Sequence, residues 1–173
     1  ANNLRFDRIY TIFPEARGLV VAGGAIIYFN DCMWHGHFPF DTVKNERVRP
    51  TIWANNRAAY PNADLVTEEL IYVKKVAPER GLTVSRPRIT NTNPAYCQVV
   101  VEQGTVSILD GLIGGGCGDA MIRAEEGARM RIVGNYFYGF PGFCNDVLRC
   151  HGARIVFRDN VIEGKDKRLT LAP

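Results

Sequence analysis

The chain has 173 residues, 46% of them hydrophobic and 23% charged, which suits one globular core and argues against wholesale disorder. Its longest uncharged apolar run, around Gly18 to Asn30, is too short for a membrane-spanning helix, and a net charge of +3 does not by itself imply nucleic acid. Seventeen Gly and nine Pro point to many turns and few long helices, while five widely spread Cys, an odd number, read as mostly reduced thiols.

The chain opens Ala1-Asn2-Asn3-Leu4, without Met and without a secretion signal, as a processed, trimmed or partial chain would. Leu4-Arg5-Phe6-Asp7-Arg8-Ile9 reads as two short strands around a turn. Leu19-Val20-Val21 is the next strand, then Gly24 and a second alternating run, Ile27/Phe29, and a third run ending in Trp34. The segment 37–70, HFPFDTVKNERVRPTIWANNRAAYPNADLVTEEL, breaks this rhythm and reads as a long loop insertion in which Thr67-Glu68-Glu69 can form a helical turn. A weaker copy of the Gly24 pattern begins at Gly81. Clearer copies follow at Gly104, Gly127 and Gly152, with Val99-Val100-Val101, Ile122-Arg123-Ala124 and Leu148-Arg149-Cys150 before them. After them come Val106/Ile108, Met130/Ile132 and Ile155/Phe157, and third runs ending in Ile113, Phe137 and Ile162. Leu169-Thr170-Leu171 reads as a last first-strand whose coil does not close.

Alternation over three to five residues with glycine punctuation is a strand signal, and helices do not fit between these turns. Three short strands per repeat, with apolar character recurring at equivalent positions, describe a coil. Stacked coils make three parallel sheets around one core, each residue about 4.8 Å from its equivalent in the next rung. Asn135 and Asn160 recur at the turn between second and third strands, where a buried asparagine bonds to its copies above and below.

The runs RIVGNYFYG at 131–139, RIVFRDNVIEG at 154–164 and FNDCMWHG at 29–36 resemble the right-handed parallel β-helix, or pectin-lyase-like, superfamily. The resemblance implies an all-β, single-stranded parallel β-helix of about five to six coils, one domain over 1–173 with the insertion at 37–70. It also implies a location outside the cell or on a virion surface, and substrate lying along the outer face of the first strands. The superfamily includes polysaccharide lyases, hydrolases, epimerases, phage tailspikes and adhesins, so the fold alone does not select an activity. Both ends look cut through a coil, so the chain is expected to be part of a longer protein, to be continued by another segment or to form a homo-oligomer.

Alternation puts Val20, Tyr72, Val100, Arg123 and Arg149 in one outward column, and Ala22, Lys74, Glu102, Glu125 and His151 in the next. Glu102 and Glu125, one rung apart, approach the roughly 5 Å carboxyl separation of a retaining glycosidase. The competing reading is a solvated face on which Arg123 and Arg149 pair with Glu102 and Glu125. Asp119 and Asp146 fall at matching places before the first strand. They read as an acid and base, as ligands for Ca²⁺, or as turn caps. Cys117 and Cys144 stack in the same places, as a disulfide or as buried thiols. The catalytic candidates are therefore Glu102, Glu125, Asp119, Asp146 and His151. Arg123, Arg149, Lys74, Tyr72 and Trp53 would hold an anionic sugar. A lyase would use a base and a cation to neutralise the uronate; a hydrolase would use the carboxylate pair. The alternative is a non-catalytic carbohydrate-binding or structural solenoid. Ca²⁺ is the one cofactor considered. His35-x-His37 lacks further ligands at suitable spacing, and neither a nucleic-acid nor a membrane partner is expected.

Overall fold

The computed structural model describes residues 3–12, 17–36, 68–91, 96–115, 120–139, 146–164 and 168–172. Every regular element among them is a β-strand, and every pairing is parallel. The strands are β1 (Asn3–Asp7), β2 (Tyr10–Ile12), β3 (Leu19–Val21), β4 (Ile26–Asn30), β5 (Met33–His35), β6 (Ile71–Val73), β7 (Gly81–Ser85) and β8 (Arg88–Asn91). They continue with β9 (Val99–Leu109), β10 (Leu112–Gly115), β11 (Ile122–Val133), β12 (Tyr136–Gly139), β13 (Asp146–His151), β14 (Arg154–Arg158), β15 (Val161–Ile162) and β16 (Arg168–Ala172). The result is a parallel β-solenoid of about 5 turns. Glu68 and Glu69 are not helical.

Three separate sheets are expected from the sequence; the hydrogen bonding joins two of them. Third strands form one sheet in the order β15-β12-β10-β8-β5-β2. First and second strands form a single ten-stranded sheet. The cause is local: β9 and β11 run unbroken around the first corner, so each serves as first and second strand of its rung.

Apolar residues stack rung upon rung, as alternation requires. Phe6, Phe29, Val84, Ile108, Ile132 and Phe157 make one interior column. Trp34, Ile89, Ile113, Phe137 and Ile162 make another. Trp34, Ile113 and Phe137 are essentially fully buried, and the rings of Phe6 and Phe29 stack 4.7 Å apart. At the two outermost described rungs the columns meet solvent: Leu4 is 45% exposed and Leu171 67%.

The repeat glycines keep register less well than the apolar residues. Gly104 lies opposite Ala128, and Gly127 opposite Gln103. Two residues, Glu125 and Glu126, face the single Glu102, a β-bulge that absorbs the one-residue difference between repeats. Gly104 has φ +99°, and a Cβ there would lie 2.0 Å from the Val76 carbonyl oxygen, so only glycine fits.

The corner between second and third strands is far more regular. Arg8, Asp31, Arg86, Asp110, Gly134 and Asp159 all have positive φ, one per rung at the same position. The next position carries the expected asparagine ladder. Gly111 N–H donates to Asn135 Oδ1 at 2.9 Å, and Asn135 N–H donates to Asn160 Oδ1 at 2.8 Å. The Asn135 amide donates to the carbonyls of Ile108 and Val133 at 2.9 and 3.1 Å, and Asn160 donates to Ile132 O at 2.9 Å. Cys32 holds the same position in its own rung and copies the pattern: Ile9 N–H donates to its Sγ at 3.4 Å. Its thiol lies 3.3 Å from Asn30 O and 3.9 Å from Phe6 O. A thiol thus stands in for an amide, with weaker donor and acceptor strength.

Candidate functional site

The outer face of the first strands carries the columns inferred from the sequence. Val20, Tyr72, Val100, Arg123 and Arg149 are register partners across β3, β6, β9, β11 and β13. Thr170 of β16 continues the line. Lys74, Glu102 and His151 each follow a paired residue of the inner column by one position, with Lys74 and His151 exposed and Glu102 half-buried. Val100 points outward yet has no accessible surface.

The carboxylates on this face are engaged. The Tyr72 hydroxyl donates a hydrogen bond to Glu102 Oε1. Arg123 Nε lies 2.9 Å from Glu125 Oε1; its N–H is misaligned for a hydrogen bond, so the contact is chiefly one of charge. In the register a bulge falls at these positions, and the two carboxylates have different partners, Tyr72 for Glu102 and Arg123 for Glu125. Of the two arginines in this column, Arg123 pairs with Glu125, and Arg149 pairs with Asp146.

Asp146 is 2% exposed. Arg149 Nη2 donates to its Oδ2 at 2.8 Å, Arg168 Nε to its Oδ1 at 3.0 Å, and the Thr170 hydroxyl to Oδ2 at 3.1 Å. Burial opposes the charge, but the hydrogen bonds from Arg149 and Thr170 and the charges of Arg168 and Arg149 outweigh it, holding the pKa below the ordinary carboxylate value. This suits a structural clamp better than a proton carrier.

An element the sequence did not reveal lies two positions before the first strand. Arg17 Nε donates to Glu69 Oε2 at 2.8 Å, and its Nη2 is 3.4 Å from Glu68 Oε2. The same guanidinium sits 4.2 Å from the centre of the Tyr72 ring. Glu69, Arg17, Tyr72 and Glu102 therefore form one continuous chain of contacts. Arg17 precedes Leu19 by the same two positions as Glu69 precedes Ile71 and Asp146 precedes Leu148, and that spacing was the available signal. The Tyr72 phenol is raised above its ordinary value, first by its hydrogen bond to Glu102, then by burial and the charge of Glu102.

Asp119, Trp53, Cys117 and Cys144, and with them the Asp119–Asp146 pair, the stacked cysteines and the insertion as a flap, lie outside the described residues. Cys32, Cys97 and Cys150 are buried thiols. Among the described residues no three His, Cys, Asp or Glu side chains gather as a metal site, and both Asp146 oxygens already accept hydrogen bonds.

Compared with protein-family models, curated proteins and solved structures, the chain matches none.

Proposed function

We propose that this chain is a polysaccharide-processing β-solenoid of the pectin-lyase-like kind, holding an extended uronate-bearing glycan along the outer face of its first strands. The observation that carries the reading is the Tyr72–Glu102 hydrogen bond on a face lined by Lys74 and Arg123. Hydrolysis by two carboxyl groups fits less well, because Glu125 and Asp146 are held by guanidiniums. A phenol–carboxylate dyad beside cations suits β-elimination.

In that reaction Glu102 takes the C5 proton of the uronate while Arg123 and Lys74 offset the charge that develops on its carboxylate. The C4–O bond breaks, its electrons leave with the oxygen, and the C5–H electrons form the C4=C5 double bond. The phenol of Tyr72, kept protonated by the same hydrogen bond, gives its proton to the departing oxygen. The proton on Glu102 then returns to Tyr72 along the contact they already make.

The test is incubation with a panel of uronic and neutral polysaccharides. The expected result is ultraviolet absorbance from unsaturated uronate, falling by about 100-fold or more in Tyr72→Phe while binding persists. New reducing ends without that absorbance would assign a hydrolase. Binding without either product would support the second reading, a non-catalytic binding or structural solenoid. What favours that second reading is the engagement of Glu68, Glu69, Glu102, Glu125 and Asp146 with neighbours.

A further inference from the structure

A different face carries the opposite charge arrangement. On the outer side of the second strands two hollows of about 270 and 330 Å³ adjoin, and Arg129 and Arg154 line both. These two are register partners in β11 and β14, so their backbones sit about 4.8 Å apart. Arg131, two residues along β11 and therefore on the same side, lines the first hollow. All three are exposed. Arg17, Arg86, Arg123, Arg149 and Arg168 each pair with a carboxylate, whereas Arg129, Arg131 and Arg154 have none among the described residues within ion-pair distance. Glu126 lines the second hollow without closing on either guanidinium. The first hollow is lined by apolar Ile155 and Val156, the latter 50% exposed.

Stacked like charges on which no carboxylate closes are arranged to receive an anion, and guanidinium forks match planar or tetrahedral oxyanions in a bidentate manner. No aromatic side chain lines either hollow, so there is no platform on which nucleic-acid bases would stack. We infer that Arg129 and Arg154, reinforced by Arg131, form an anion-binding subsite for the carboxylate or sulfate groups of an acidic glycan, around the corner from the first-strand face. The site does not require that face to be catalytic.

The experiment is calorimetric titration of the whole chain with oligogalacturonate, dextran-sulfate oligomers, neutral dextran and a short DNA duplex, at low and physiological salt. Binding to one of the two acidic glycans is expected, weakening as salt rises; which one binds tells carboxylate from sulfate. Arg129→Gln with Arg154→Gln should weaken it at least tenfold. Arg5→Gln with Arg158→Gln, the same charge loss elsewhere on the joined sheet, should leave it within about twofold. All four side chains are exposed, and thermal melts of both variants check that the fold is kept. Absence of binding to either acidic glycan, equal affinity for neutral dextran, tighter binding of the duplex, or equal losses in the two double variants would overturn the assignment. Uronate cleavage is read separately, so its failure with this binding intact removes the catalytic proposal and leaves the subsite standing.

Discussion

The two corners that flank the second strand solve the same problem in different ways. Between second and third strands six rungs share one left-handed residue at the same position, and in three of them the next position is a ladder residue, Cys32, Asn135 or Asn160. Between first and second strands the rungs differ, although Gly24, Gly81, Gly104 and Gly152 all have positive φ. There β9 and β11 continue without a break, Gly104 turns sharply, and Glu125-Glu126 bulge. The regular corner repeats one backbone turn from rung to rung, and at Cys32, Asn135 and Asn160 side chains add bonds to the neighbouring rung. The irregular corner is held by backbone pairing on either side, which tolerates an extra residue.

Breaking the regular corner should cost most. Asn135→Ala leaves the carbonyls of Ile108 and Val133 and the Gly111 N–H without their partner, and should lower unfolding free energy by about 4 kcal/mol in denaturant titration. A loss below about 1 kcal/mol would mean water replaces the amide at no cost. At the irregular corner, Gly104→Ala meets a backbone carbonyl at positive φ and should cost about 3 kcal/mol. Gly127, whose φ is not positive, should tolerate alanine with less than half that loss.

The third corner, before the first strand, offers a pH test. Asp146 has a folded pKa below its unfolded value of about 3.9, so its contribution is fully present above that value and is lost as pH falls through the folded pKa. Wild type should exceed Asp146→Asn by about 2 kcal/mol at pH 6, and the difference between the two melting curves should shrink as pH falls through the folded pKa of Asp146. A difference independent of pH would show that shape, rather than charge, makes the clamp. The smallest effect is expected at the thiol rung. Cys32→Asn restores the stronger hydrogen-bonding group and should be neutral or stabilising by about 0.5 kcal/mol, whereas Cys32→Leu should destabilise.

These contrasts explain what was legible beforehand. The interior columns, the outward columns and the Asn135–Asn160 ladder could be read from the chain because burial imposes a strict period of two and stacking repeats it. Glycine spacing misled where the bulge shifted Gly127 against Gly104, since glycine marks a corner without fixing its length. Fusion of two expected sheets was hidden for the same reason: alternation looks alike whether a strand bends or ends. The columns placed Tyr72, Arg123 and Arg149 correctly, but which cation meets which carboxylate depends on side-chain reach. Arg17 over Tyr72, and Asp146 between Arg149 and Arg168, therefore emerged only in three dimensions.

The unbroken course of β9 and β11 has a mechanical consequence. A stack of this kind opens rung by rung, and its outermost described rungs already meet solvent. Peeling will stall where one continuous ribbon closes two faces at once, because neither face can detach without the other. The centre of the solenoid thus acts as a rivet, with its amide protons the last to exchange into deuterated water.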